Sequence, residues 1–65
     1  MKPDINYKGP DKKTPLYTAA SEGHTQIVQI LLDSGADVET RTINQRTPLH
    51  ISCLRGDLVT SKLLL

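Results

Sequence analysis

Apolar side chains fall into four short clusters separated by polar, turn-rich stretches. Leu16, Ala19 and Ala20 stand at i, i+3 and i+4, the spacing of a short helix with a narrow, small-residue face that lets another helix come close. Thr14 supplies a hydroxyl to cap free backbone N–H groups, and Pro15 suits a first helical turn. Gly23 is placed to end this helix in the left-handed conformation. From about Thr25 to Asp33 the pattern widens: Ile27, Val28, Ile30, Leu31 and Leu32 make a broad apolar stripe, Gln26, Gln29 and Asp33 face outward, and Gly35 stops the helix. A polar link follows, in which Val38 and Ile43 are isolated apolar positions. The events then recur: Thr47 and Pro48, a short helix carrying Leu49, Ser52 and Cys53, Gly56, and a helix from about Leu58 to Leu65.

The recurrence has a fixed period, since Thr14-Pro15-Leu16 returns as Thr47-Pro48-Leu49, 33 residues on. The same offset superposes Asp4 on Asp37, Gly23 on Gly56, Leu31 on Leu64 and Leu32 on Leu65, and pairs Lys8 with Arg41 and Lys13 with Arg46. Repetition at this length signals units that bury their apolar faces by stacking on one another. One departure carries an expectation of its own. Thr60 and Ser61 stand where the first unit has Ile27 and Val28, so the last helix has a weaker apolar face and is expected to pack less firmly and fray first.

Composition narrows the reading. A chain of 65 residues and 7.2 kDa forms one domain. The single Cys53 excludes an intramolecular disulfide. No apolar core follows Met1-Lys2-Pro3-Asp4, and the longest aliphatic run is Leu63-Leu64-Leu65, so neither signal peptide nor membrane insertion is expected; the chain reads as intracellular, cytoplasmic or nuclear, and not secreted. A formal charge of +1 gives no bulk attraction to nucleic acid or membrane.

Helix, glycine turn, helix and polar link at this period, with Thr47-Pro48-Leu49-His50, resemble the ankyrin repeat. In the first copy Thr14-Pro15-Leu16, Ala19-Ala20, Gly23-His24, Ile27-Val28, Leu31-Leu32 and Gly35-Ala36-Asp37-Val38 follow the family pattern; in the second, Thr47 to His50, Gly56 and Leu63 to Leu65 do. Tyr17 replaces the motif's His, Glu39 its usual Asn, and Ser52-Cys53 its Ala-Ala. The resemblance implies an all-α fold of helix-turn-helix repeats stacked as a short solenoid with hairpin-like loops. Residues 1–65 then form one segment: a leading loop over 1–13, repeat 1 with its hairpin link over 14–46, and repeat 2 over 47–65. It also suggests a Thr47 to His50 imidazole bond at the helix start, which Tyr17 cannot copy at Thr14.

Three features carry residue types that can do chemistry. Gly9 to Thr14 has Lys12 where a phosphate loop needs glycine, and Pro15 removes an N–H that a phosphate would want. His50 and Cys53 lie three apart on one helix, but two ligands fall short of a zinc site, and no third group or oxyanion site makes them a nucleophile and base. Thr14-Pro15 and Thr47-Pro48 could be proline-directed phosphorylation sites, but the hydroxyls are better used as caps. No enzyme activity, metal or cofactor is expected.

Binding is the remaining use. By resemblance, partners are held by the hairpin tips and the exposed side of the first helices, which together form a concave face. That face would carry Lys8, Asp11, Lys13 and Glu22 from the first unit, beside Pro10 and Ser21. Arg41, Ile43, Asn44, Arg46, Leu54 and Arg55 would join them from the second. Five of these are basic and two acidic, which favours a protein partner with an acidic surface. The expected function is a non-catalytic protein-binding module that also contacts neighbouring repeats. The alternatives are a structural spacer within a larger array, or a surface for phosphate or nucleic acid. Two units share one internal interface, whereas repeat arrays need about three or more to be stable. The dilute chain is therefore expected to melt without a sharp cooperative transition above about 60 °C when its helical circular dichroism is followed on heating.

Overall fold

Three of the four α-helices start on a side-chain cap that the sequence supplies, at Thr14, Thr47 and Asp57. In the computed structural model, which describes residues 5–65, the helices are α1 (Pro15–Glu22), α2 (Thr25–Asp33), α3 (Pro48–Leu54) and α4 (Leu58–Leu64), and no strand occurs among the described residues. The pairing of Asp4 with Asp37 and the turn reading of residues 1–4 lie outside the described residues. Thr14 Oγ1 accepts from the Tyr17 N–H at 3.3 Å, and Thr47 Oγ1 accepts from the His50 N–H at 3.2 Å. The donor is the backbone in both copies. The expected Thr47 to imidazole bond is thus not the cap, and Tyr17 costs the first helix nothing. Gly23, at φ 74°, closes α1 by sending its own N–H to Ala20 O and the His24 N–H to Ala19 O.

The helices form two layers. Within each repeat α1 packs on α2 and α3 on α4; between repeats α1 meets α3 and α2 meets α4. Leu16, Ala19, Ala20, Val28 and Leu64 make the buried core, with Leu31, Leu32, Ala36, Leu49, Ile51 and Leu63 packed around it. Small residues at 19 and 20 let α1 sit between α2 and α3.

Thr60 and Ser61, where the apolar face of the last described helix is weaker, are engaged in hydrogen bonds. Thr60 is fully buried, and its hydroxyl donates to Asp57 Oδ2 at 2.7 Å while lying 3.2 Å from Thr25 Oγ1. Because the Thr60 proton goes to the carboxylate, Thr25 is the donor in the second bond. Asp57 also caps α4 by accepting the Thr60 N–H at 3.1 Å, a side-chain cap that α2 lacks at His24. The Thr60 hydroxyl, then the Thr60 N–H, with Arg55 adding a smaller attraction, hold the Asp57 carboxyl below the ordinary aspartate range. Next to this, Ser52 donates to Leu49 O at 2.9 Å and so accepts from Ser61 across 3.0 Å. The Cys53 thiol lies 3.7 Å from Ser61 Oγ. Hydrogen bonds take the place of the missing methyl groups.

Thr40 is the contrasting case: it is buried, and its Oγ1 has no hydrogen-bond partner among the described residues. The same isosteric change should therefore act with opposite signs. Thr60→Val leaves Asp57 and Thr25 short of a partner and should destabilise by about 1 kcal/mol or more, whereas Thr40→Val removes an unsatisfied oxygen and should be neutral or stabilising by up to about 1 kcal/mol. Urea titrations of the two variants, read by helix signal, measure both.

Candidate functional site

The two hairpin loops are built alike and joined. In the first, the Gly9 N–H donates to Lys13 O and the Lys12 N–H to Gly9 O; in the second, Thr42 donates to Arg46 O and Gln45 to Thr42 O. The Ile43 N–H donates to Asp11 O at 2.9 Å, and the Asp37 N–H to Asn6 Oδ1 at 2.8 Å, so that one loop is fixed beside the other. Buried Thr42 steadies the second loop from below, since its Oγ1 receives the N–H groups of Asn44 and Arg46, each at 3.3 Å. Lys12 and Gln45, one period apart, both take positive φ, 60° and 63°. These tight turns ask for a left-handed residue at the same place in each unit.

Most of the expected binding residues are exposed on this frame. Lys8, Asp11 and Lys13 are exposed on the first loop, and Arg41, Ile43 and Asn44 on the second, where Arg46 is half-buried. Leu54, at the end of α3, is 60% exposed and Ile43 58%, so apolar surface stands among the cations. Asp11 and Ile43 are brought into direct contact by the loop bond. Glu22 is exposed, and its Oε1 lies 3.5 Å from His24 Nε2. Arg55 is exposed yet engaged: its guanidinium lies over Gly23, where an added Cβ would come within 2.9 Å of a terminal nitrogen. There it faces the carbonyl end of α1, where a cation is favoured.

Spacing of motifs does not reveal one further feature. Tyr7, Pro10, Pro15, Thr18, Ala19 and Ile27 line an apolar groove of about 510 Å³ on the outer side of repeat 1, and Asp11, Lys13, Glu22 and His24 also border it. Its signal in the sequence is Ile27, an apolar residue of the α2 stripe that is 47% exposed. No group of three or more His, Cys, Asp or Glu is placed to hold a metal ion among the described residues. No helix of the described residues is long and apolar enough to cross a membrane.

Comparison with known proteins agrees with this architecture. Residues 1–65 match the family described as ankyrin repeats in three copies. The chain is 45% identical over 60 residues to alpha-latrotoxin-Lg1a of Latrodectus geometricus, an alignment covering 88% of this chain and 4% of the toxin. It is 35% identical over 54 residues to NF-kappa-B inhibitor alpha of Gallus gallus, covering 83% of this chain and 17% of that protein. Identity reaches 47% over 49 residues with the BTB/POZ domain and ankyrin repeat-containing protein NBCL of Lotus japonicus, covering 74% of this chain and 10% of the relative. The chain thus spans only a small part of each of these curated relatives, and a spider toxin and a plant BTB/POZ protein among them leave the compartment open.

The positive φ at position 45 gives a direct test of the loop frame. A left-handed conformation costs an ordinary residue about 1–2 kcal/mol, so Gln45→Gly should stabilise by roughly 0.5–1 kcal/mol after glycine's own entropy is counted, raising the midpoint of thermal melting.

Proposed function

Because the chain belongs to the ankyrin-repeat family, we propose that it works as a non-catalytic protein-binding module, gripping its partner with the two hairpin tips and the exposed side of α1 and α3. Ankyrin repeats mediate protein–protein interaction and are generally non-catalytic. The observation that supports the finer reading is the Ile43 to Asp11 bond, which holds the tips side by side while Ile43, Lys13 and Arg41 stay exposed on them. An exposed apolar centre with cations around it suits a partner that offers carboxylates around an aliphatic or aromatic side chain. The apolar contact would supply affinity, and the guanidinium and ammonium groups encounter rate and choice of partner. A standard interface takes about 800 Å² from each partner, more than two loops present, so the module would work beside further repeats.

A random peptide display library panned on the immobilised chain tests this. Peptides that combine Asp or Glu with a large apolar residue should be enriched. Arg41→Glu with Leu54→Ser should weaken a selected peptide by about tenfold or more while leaving the melting curve in place; both side chains are exposed and neither joins the loop bonds. Gln26→Glu with Lys62→Glu, on the outer helices, should change little. No enrichment, or equal effects from the two pairs, would leave the chain as a spacer.

A further inference from the structure

Residues one period apart hold equivalent places in the two repeats. A position covered by a preceding repeat is buried in the second unit, and one covered by a following repeat is buried in the first, so a position exposed in both owes its exposure to neither end of the stack. Among the described residues, Lys8 and Arg41 are the one such pair whose members carry the same charge. Pro10 and Ile43, two residues on, are also exposed in both repeats, and both present hydrocarbon.

Thr40 and Thr42 are buried while Arg41 and Ile43 are exposed, the alternation of an extended chain, so the cation and the isoleucine stand on one side of the loop. The Ile43 N–H to Asp11 O bond holds the first loop alongside. The result is a narrow strip in which a row of cations, Lys8 and Arg41, runs beside a row of hydrocarbon, Pro10 and Ile43. Carboxylates on these loops make no such row, since the equivalent of Asp11 is Asn44 and that of Glu39 is Asn6.

Each row repeats at the stacking step of the helices, about 8–10 Å. A partner that uses both members of a row has to return to the same side at that interval. A β-strand does so every second residue, at about 6.7 Å and next at about 13 Å, and so misses the step. A polyproline II segment does so every third residue, at about 9.3 Å, and matches it. An α-helix returns at about 10.5 Å but is about 10–12 Å wide with its side chains, whereas Arg41 and Ile43 are two extended residues, about 7 Å, apart. The slender segment fits the strip.

We propose that the strip docks an acidic polyproline II segment of a partner protein, with a carboxylate at every third residue and proline between, an assignment that rests on the protein-binding reading above. Successive carboxylates pair with Lys8 and Arg41, the second in a bidentate guanidinium contact, and pyrrolidine rings lie against Pro10 and Ile43. Such a segment loses little freedom on binding because proline fixes φ beforehand, which suits a surface of only two loops. The ion pairs are open to water and weaken as salt is added.

The test is fluorescence anisotropy of labelled peptides titrated with the full chain at low salt. The probe is a peptide of four Glu-Pro-Pro triplets. Its comparison has the same four glutamates and eight prolines, with glutamate at every second position and the remaining prolines at the end. The triplet peptide should bind about tenfold more tightly or better, and its affinity should fall with salt. Lys8→Glu with Arg41→Glu should abolish this preference and bind a peptide of four Lys-Pro-Pro triplets instead, whereas Lys62→Glu, on α4, should behave like the parent. If the glutamate pair loses its helical circular dichroism, Lys8→Gln with Arg41→Gln replaces it, and the preference should again be lost. Equal binding of the two acidic peptides, or tighter binding of an alanine-rich helical peptide with glutamates seven residues apart, would overturn the proposal. Should library peptides bind while the triplet peptide shows no preference, the spacing fails and the protein-binding reading stands; if neither binds, both fail.

Discussion

A helix pair with one greasy side cannot satisfy itself, and the rest of this structure depends on that constraint. In each repeat the paired helices bury one another only in part; Tyr17 and Ala20 are sealed because α3 lies against α1. The small side chains of Ala19 and Ala20 set how near the helices can come, and Leu16 and Val28 fill what is left. The loops follow from the stacking. Once α1 and α3 are fixed in register, their leading loops run side by side, and the Ile43 to Asp11 bond can form. The proposed binding surface would thus be a by-product of core packing, with neighbouring tips spaced by the distance between stacked helices.

Much of this was legible in the sequence because caps and glycine turns act locally. The starts at Pro15 and Pro48 and the turn at Gly23 depend on residues within a few positions of one another, and the structure places them where the motif spacing does. Side-chain exposure was harder to read. An apolar stripe such as Ile27 to Leu32 says that a helix has a greasy side, but only the partner helix decides which members are covered; Val28 is sealed while Ile27 and Ile30 face water. The stripe records what the fold can bury.

Hydropathy misses the engagement of Thr60 and Ser61 for a specific reason. Hydropathy scores a hydroxyl against methyl groups, yet a buried hydroxyl with a well-placed partner loses little by leaving water. Asp57, Thr25 and Ser52 are those partners, and two of them come from other helices, at separations no local pattern covers. The candidate binding residues show the converse limit. Arg41 and Arg55 were read together as loop-face cations, but one is simply exposed while the other lies across Gly23 at the end of α1. Sequence position gave their side of the molecule and not their engagement.

The serine pair that links α3 and α4 has a mechanical consequence. Aliphatic side chains hold two helices in register by interdigitating, but no single contact among them is directional. A hydroxyl contact is. With Ser61 directed at Ser52 and Ser52 at the Leu49 carbonyl, turning α4 by one residue about its axis would break both the serine bond and the Thr25 bond. The α4 helix is accordingly tied to its neighbours by direction as well as by contact.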